Sequence, residues 1–164
     1  MKIGLISDTH GYIDDSIMHH FEDCDEIWHA GDIGSLVVAD RLAACKKVRA
    51  VYGNVDDLKL RQKYPEELIF RVAGIKVYII HIGGYPPNYT PKIRQRLNEV
   101  KPGLFICGHS HIVRIMQDPQ RELLHINPGA AGRQGFHRKR SIVRFTISAG
   151  KIEDLQLIEL GKRA

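Results

Sequence analysis

Five short apolar runs in this chain each end in polar side chains set beside glycine, and this repeated punctuation constrains the fold more than any other feature. Residues 2–7 run into Ser7-Asp8-Thr9-His10-Gly11, and residues 26–29 into His29-Ala30-Gly31-Asp32. Residues 48–52 lead to Gly53-Asn54, residues 75–80 to His81-Ile82-Gly83-Gly84, and residues 104–107 to Gly108-His109-Ser110-His111. Apolar stretches this short, bounded by turn signals, read as buried strands. Between them lie amphipathic segments with helix-start chemistry. Asp14 or Asp15 can cap a helix that presents Ile17, Met18 and Phe21 on one face, and Ser35 one that presents Leu36, Ala39, Leu42 and Ala43. Thr90-Pro91 opens a third, with Ile93, Leu97 and Val100 as its stripe and Pro102-Gly103 as its end. This alternation predicts an α/β fold.

Residues 68–72 and 75–80 read as a hairpin around Ala73-Gly74. Residues 122–126, 141–147 and 152–158 read as consecutive antiparallel strands, with Ala149-Gly150 as the last turn. No repeat or linker-like stretch divides residues 1–164, which read as one domain, large enough for an apolar core without staples. No apolar run approaches the roughly 20 residues of a membrane helix, so no membrane association is expected. The N-terminal run is too short for a signal peptide, so a cytoplasmic location is expected. Cys24, Cys45 and Cys107 form no Cys-x-x-Cys pair and read as reduced, mostly buried thiols. The net charge of +5 favours anionic ligands, with a denser basic run at Arg133, His137, Arg138, Lys139 and Arg140. No aromatic platform or nucleic-acid module accompanies it, so charge alone does not indicate nucleic acid, although it leaves such a partner open.

In open α/β sheets, ligands collect outside the carboxyl ends of the strands. Here five such ends deliver a carboxylate, an imidazole or a carboxamide. Asp8 and His10, two positions apart, can converge on one site from an extended loop, as can His109 and His111. Carboxylate, imidazole and amide donors without thiolate suit manganese, iron, zinc, nickel or magnesium. Asp8, His10, Asp32, Asn54, His81, His109 and His111 are too many for one tetrahedral ion. They suit two ions about 3.5–4 Å apart, with the two oxygens of Asp32 as the natural bridge. Each motif alone is more often structural than functional; their conjunction, in this order, carries the reading.

That conjunction closely resembles the calcineurin-like metallophosphoesterase superfamily, whose pattern is Asp-x-His, Gly-Asp, Gly-Asn-His-Asp/Glu, His and Gly-His-x-His. The match runs over essentially the whole chain. The opening Lys2 to Gly11 and the run Ile126-Asn127-Pro128-Gly129 are similar to the small bacterial and archaeal phosphodiesterase branch. The resemblance implies a four-layer α-β-β-α sandwich of two mixed β-sheets flanked by helices. It implies two divalent metal ions, manganese preferred over Fe, Zn, Ni or Mg. It puts Asp8, His10, Asp32 and His111 on one ion, and Asp32, Asn54, His81 and His109 on the other. Two departures stand out. His81-Ile82-Gly83 replaces the family's His-Gly, keeping the ligand in a fuller loop. Gly53-Asn54-Val55 replaces Gly-Asn-His, and the absent histidine is the one that protonates the leaving group or stabilises the transition state in the superfamily. A diester with a good leaving group depends less on a general acid. The expected activity is therefore hydrolysis of phosphodiesters by a hydroxide held between the ions, with the Asn54 amide helping to neutralise developing charge. The substrate would be a small phosphodiester or nucleotide-like molecule, with Arg133 and His137 as candidate contacts on its far side. A homo-oligomer is left open. The alternatives are a phosphomonoesterase and a metal-binding interaction scaffold of the same fold, as in the small retromer subunit.

Overall fold

The computed structural model describes residues 1–164. β1 (Lys2–Ile6) leads into α1 (Asp15–His20), whose Ile17 amide donates to the Asp14 side chain. β2 (Glu26–His29) leads into α2 (Leu36–Cys45), capped by Ser35. On α2 the buried face is Val38, Ala39 and Leu42, while Ala43, expected on it, is exposed. β3 (Lys47–Ala50) is followed by α3 (Leu58–Lys63), a helix the sequence reading lacks. Its six residues bury only Leu60, so it has no apolar stripe to detect. β4 (Glu67–Val72) and β5 (Ile75–Ile80) form the expected hairpin, and α4 (Pro91–Val100) opens on the Thr90 cap and buries Ile93, Leu97 and Val100. β6 (Leu104–Ile106), β7 (Val113–Asp118), β8 (Leu123–Pro128), β9 (Lys139–Ser148) and β10 (Lys151–Lys162) complete the chain.

The strands form two mixed sheets of five. One runs β10-β9-β1-β2-β3, with β1, β2 and β3 parallel and β9 antiparallel to both β1 and β10. The other runs β4-β5-β6-β8-β7, parallel through β5, β6 and β8, with antiparallel strands at both edges. The three C-terminal runs are thus not consecutive antiparallel neighbours. Only β9 and β10 pair; β8 belongs to the other sheet, beside β7, which the sequence reading also lacks. β7 is a mostly half-buried edge strand that interleaves Arg114 and Gln117 with its apolar residues, so it carries no clean alternation.

Three apolar clusters separate four layers. The largest lies between the sheets, where Ile3, Leu5, Trp28 and Phe145 meet Val77, Ile79, Leu104 and Ile126. A second packs the outer face of the first sheet against Ile17, Leu42 and Leu60 of α1, α2 and α3. The third packs Tyr78, Ile80 and Phe105 against Ile93 and Leu97 of α4. The result is the expected α-β-β-α sandwich. Cys24 and Cys107 are buried, Cys45 is exposed, and none is paired. No helix is long and apolar enough to cross a membrane.

Candidate metal centre

The carboxyl ends of β1, β2 and β3 from one sheet meet those of β5 and β6 from the other. Backbone bonds knit the loops beyond them: Asp8 N to Gly31 O at 3.0 Å, His10 N to Asp32 O at 3.0 Å, and Gly108 N to His81 O at 2.9 Å. Two glycines permit the approach. A Cβ at Gly53 would overlap the Asp32 carboxylate, and one at Gly31 would lie 2.6 Å from His81 Nδ1. Asp8, His10, Asp32, His109 and His111 all adopt positive φ, between 47° and 68°. Each such residue stores on the order of 1–3 kcal/mol of backbone strain, a cost that gathers at functional sites. The other positive-φ residues with side chains, Ala73, Lys101, Glu122, Ala149 and Asp154, sit in turns, at a helix end or at a strand irregularity.

Side chains converge in two groups. Donor atoms of Asp8, His10 and His111 lie within 4.8 Å of one another, and so do those of Asp32, His81 and His109. Asp32 Oδ2 links them, 3.2 Å from His81 Nε2 and 3.8 Å from His10 Nε2. Asn54 Oδ1 stands 3.1 Å from His81 Nε2. All seven residues singled out in the sequence therefore meet in one place.

Residues 1–150 match the family model of the calcineurin-like phosphoesterase superfamily domain. The chain belongs to this superfamily. Among curated proteins, this chain is 35% identical over 136 residues to a probable metallophosphoesterase of Methanocaldococcus jannaschii, covering 79% of this chain and 68% of that one. The fold is shared with a structure described as a novel archaeal phosphodiesterase, at TM-score 0.77 and 22% identity over 98% of this chain and 100% of that one. It is also shared with Vps29 complexed with zinc from Entamoeba histolytica, at TM-score 0.75 and 15% identity over 97% and 99% of the two chains.

Members of this superfamily use divalent metals, and the donors here fit such ions. Asp8 Oδ2 accepts hydrogen bonds from the Ser7 hydroxyl at 2.6 Å and the His109 amide at 3.1 Å. Its other oxygen, Oδ1, is buried with no hydrogen-bond partner, 3.2 Å from His111 Nε2 and 4.0 Å from both His10 Nε2 and His81 Nε2. A buried unpaired carboxylate oxygen is costly unless a cation answers it. His81 repeats the pattern. Its Nδ1 lies 2.8 Å from the Ala30 carbonyl, which fixes the proton there and leaves the Nε2 lone pair facing Asp32 Oδ2 and Asn54 Oδ1. A cation among these three acceptors would answer all of them at once. Burial opposes a charged His81, yet Asp32 and Asp8 raise its pKa, so a proton can stand in for that cation.

Three residues with a place here, Asp56, His29 and Asn127, were not among the site residues named from the sequence. Asp56, buried, accepts from the amides of Ile33, Gly34 and Gly53 at 2.7–3.1 Å and ties the Asp32 loop to the Asn54 loop. The Asp of the Gly-Asn-x-Asp pattern was its only sequence signal. His29 is fully buried, its pKa pushed down by burial to about 4. It accepts from the Gly31 amide at 3.1 Å and bonds the Thr9 hydroxyl at 2.9 Å, bracing the loops without facing the donors. Asn127 Nδ2 donates to the Gly108 carbonyl at 2.8 Å, behind His109. Of the two side chains expected on the substrate's far side, His137 lies with Nδ1 3.2 Å from His111 Nδ1 and Nε2 3.0 Å from the Gly132 carbonyl. The Arg133 guanidinium sits 4.3 Å from the Tyr12 ring centroid. The Val55 side chain is 52% exposed, while its amide donates to Asp32 Oδ1 at 3.0 Å.

Proposed function

We propose that this chain hydrolyses phosphodiesters with two divalent cations, one held by Asp8, His10, Asp32 and His111, the other by Asp32, Asn54, His81 and His109. The observation that carries this is the pair of adjoining donor groups around the unpartnered oxygen of Asp8. Bound divalent ions would supply Lewis acidity toward the phosphoryl oxygens and lower the pKa of the attacking water. The protein's part is to hold Asp8 and Asp32 in fixed positions and to aim the Asn54 amide at the charge that develops on the equatorial phosphoryl oxygens. Diesters are preferred because Val55 offers no proton for a poor leaving group. Manganese is preferred on the resemblance to the small phosphodiesterase branch, and the thiolate-free donor set accommodates it. The three unpaired cysteines support a cytoplasmic setting.

The test is Asp32→Ala, assayed by metal analysis and by turnover of bis(p-nitrophenyl) phosphate. We expect loss of bound metal and a fall in kcat/KM of at least about a hundredfold, since the carboxylate serves both ions. A purified variant with both metals and full turnover would overturn the assignment.

A second reading, a metal-binding scaffold, draws on exposed apolar side chains beside the donors. Val55, Ile82 and Ile112 are 52%, 44% and 54% exposed, and Phe136 is fully so. Stoichiometric metal with no turnover of any mono- or diester would favour it.

A further inference from the structure

Beside the donors lies a cleft of about 370 Å³ that shares Asn54 and His81 with the metal centre. Ile80, Ile82 and Ile93 give it an apolar wall. Its charged residues differ in how they are answered. Lys92 Nζ lies 3.5 Å from the Glu66 carboxylate, so its charge has a counter-ion. Arg61 is held otherwise. Its Nε donates to the Asp56 carbonyl at 2.7 Å and its Nη2 to the Asn54 carbonyl at 3.0 Å, with the guanidinium 4.9 Å from the Tyr52 ring centroid. Both protein acceptors are neutral, so the charge is oriented but not neutralised. A guanidinium carries five N–H groups in a planar fork, and those left over suit the paired oxygens of a phosphate or carboxylate.

We propose that this cleft holds the organic arm of the substrate, and that the arm is nucleotide-like: an apolar, planar body against the isoleucine wall and a second phosphate on Arg61. The proposal rests on the phosphodiesterase reading and specifies its substrate class. The volume falls near the lower end of the range for small-molecule sites, roughly 300–1,000 Å³, which fits one nucleoside-sized arm. An unpaired, backbone-held cation so near a phosphate-ester site selects for an arm that brings a second anion, and against a cationic arm such as choline.

Two chromogenic diesters that differ by one phosphate provide the test: thymidine 5′-(p-nitrophenyl phosphate), with and without a 3′-phosphate. In metal-loaded protein we expect about tenfold lower KM for the 3′-phosphorylated compound, the order of one charge-assisted hydrogen bond. That ratio should fall to near unity in Arg61→Ala and partly survive in Arg61→Lys. Because Arg61 also braces the Asn54 loop, the ratio between substrates is the readout rather than the rate. Independently, metal-free protein labelled at its isoleucine methyls is titrated with thymidine 3′,5′-bisphosphate and with thymidine 5′-monophosphate. Ile82 and Ile93 should shift, and the bisphosphate should saturate at the lower concentration. Equal KM values in the wild type, a preference that survives Arg61→Ala, or shifts confined to other isoleucines would each overturn the proposal. Should no diester turn over at all, the phosphodiesterase reading fails, while the methyl titration still decides the cleft.

Discussion

At Val55 the backbone and the side chain have separate consequences. The amide anchors Asp32, so any L-residue but proline in the same conformation keeps the carboxylate in place. The exposed side chain is free to change. Val55→His is therefore expected to leave metal content unchanged and to add a proton donor beside Asn54. Turnover of a monoester with a poor leaving group, such as glycerol phosphate, should rise about a hundredfold relative to bis(p-nitrophenyl) phosphate. An unchanged ratio would show that Val55 does not govern ester preference. His137 is expected to act through His111 rather than on substrate. With the His137 Nε2 proton on the Gly132 carbonyl, its Nδ1 accepts from His111 Nδ1–H and turns the His111 Nε2 lone pair toward Asp8. His137→Ala is expected to weaken metal binding about 10–100-fold in a competition titration, with native thermal stability in the metal-free protein. Undiminished affinity would remove His137 from this role. The seven converging residues were legible because each motif is local and carries its own chemistry. Asp56 and Asn127 fall within quoted motifs, but their roles were not legible, because their work is hydrogen bonding to backbone across 19–23 residues.

Among the elements, β2 and β3 are joined by more than their ladder. Glu26 at the start of β2 is buried and accepts from Arg49 at 2.7 Å and from the Trp28 indole at 2.9 Å, with Lys47 2.8 Å away. Burial works against ionisation of Glu26, but these donors override it and hold its pKa at about 2, below the ordinary 4.5. The folded value lies below the unfolded one, so the stabilisation is complete above pH 4.5 and is lost as pH falls toward 2. It amounts to about 3 kcal/mol. Glu26→Gln should lower the unfolding free energy from urea titration at pH 7 by that amount, and the gap from wild type should close progressively below pH 4.5. A gap independent of pH would show that shape, not charge, holds this edge. The strands and helices with strong periodicity or caps were legible, including the Thr90-Pro91 start of α4. α3 and β7 were not: one buries a single side chain, and the other mixes charge into a half-exposed edge.

In the whole molecule, the four-layer outline was legible by resemblance, whereas the order of strands was not. β1 finds its second neighbour in β9, with Lys2 opposite Thr146, and no local signal in either run names the other. The same long-range construction governs the metal centre. Asp8, His10, Asp32 and Asn54 come from one sheet, and His81, His109 and His111 from the other. Asp8 and His109 are 101 residues apart. No half of the protein therefore holds a complete donor set, and none exists until the sheets have docked. This gives the cations a kinetic signature. Ions that bind only the finished assembly leave the climb to the folding transition state unaided and deepen the basin behind it. In paired chevron plots, added manganese should slow unfolding in proportion to its occupancy and leave the refolding limb where it was. A refolding rate that climbed with metal would mean that the seam between the sheets closes before the barrier is crossed.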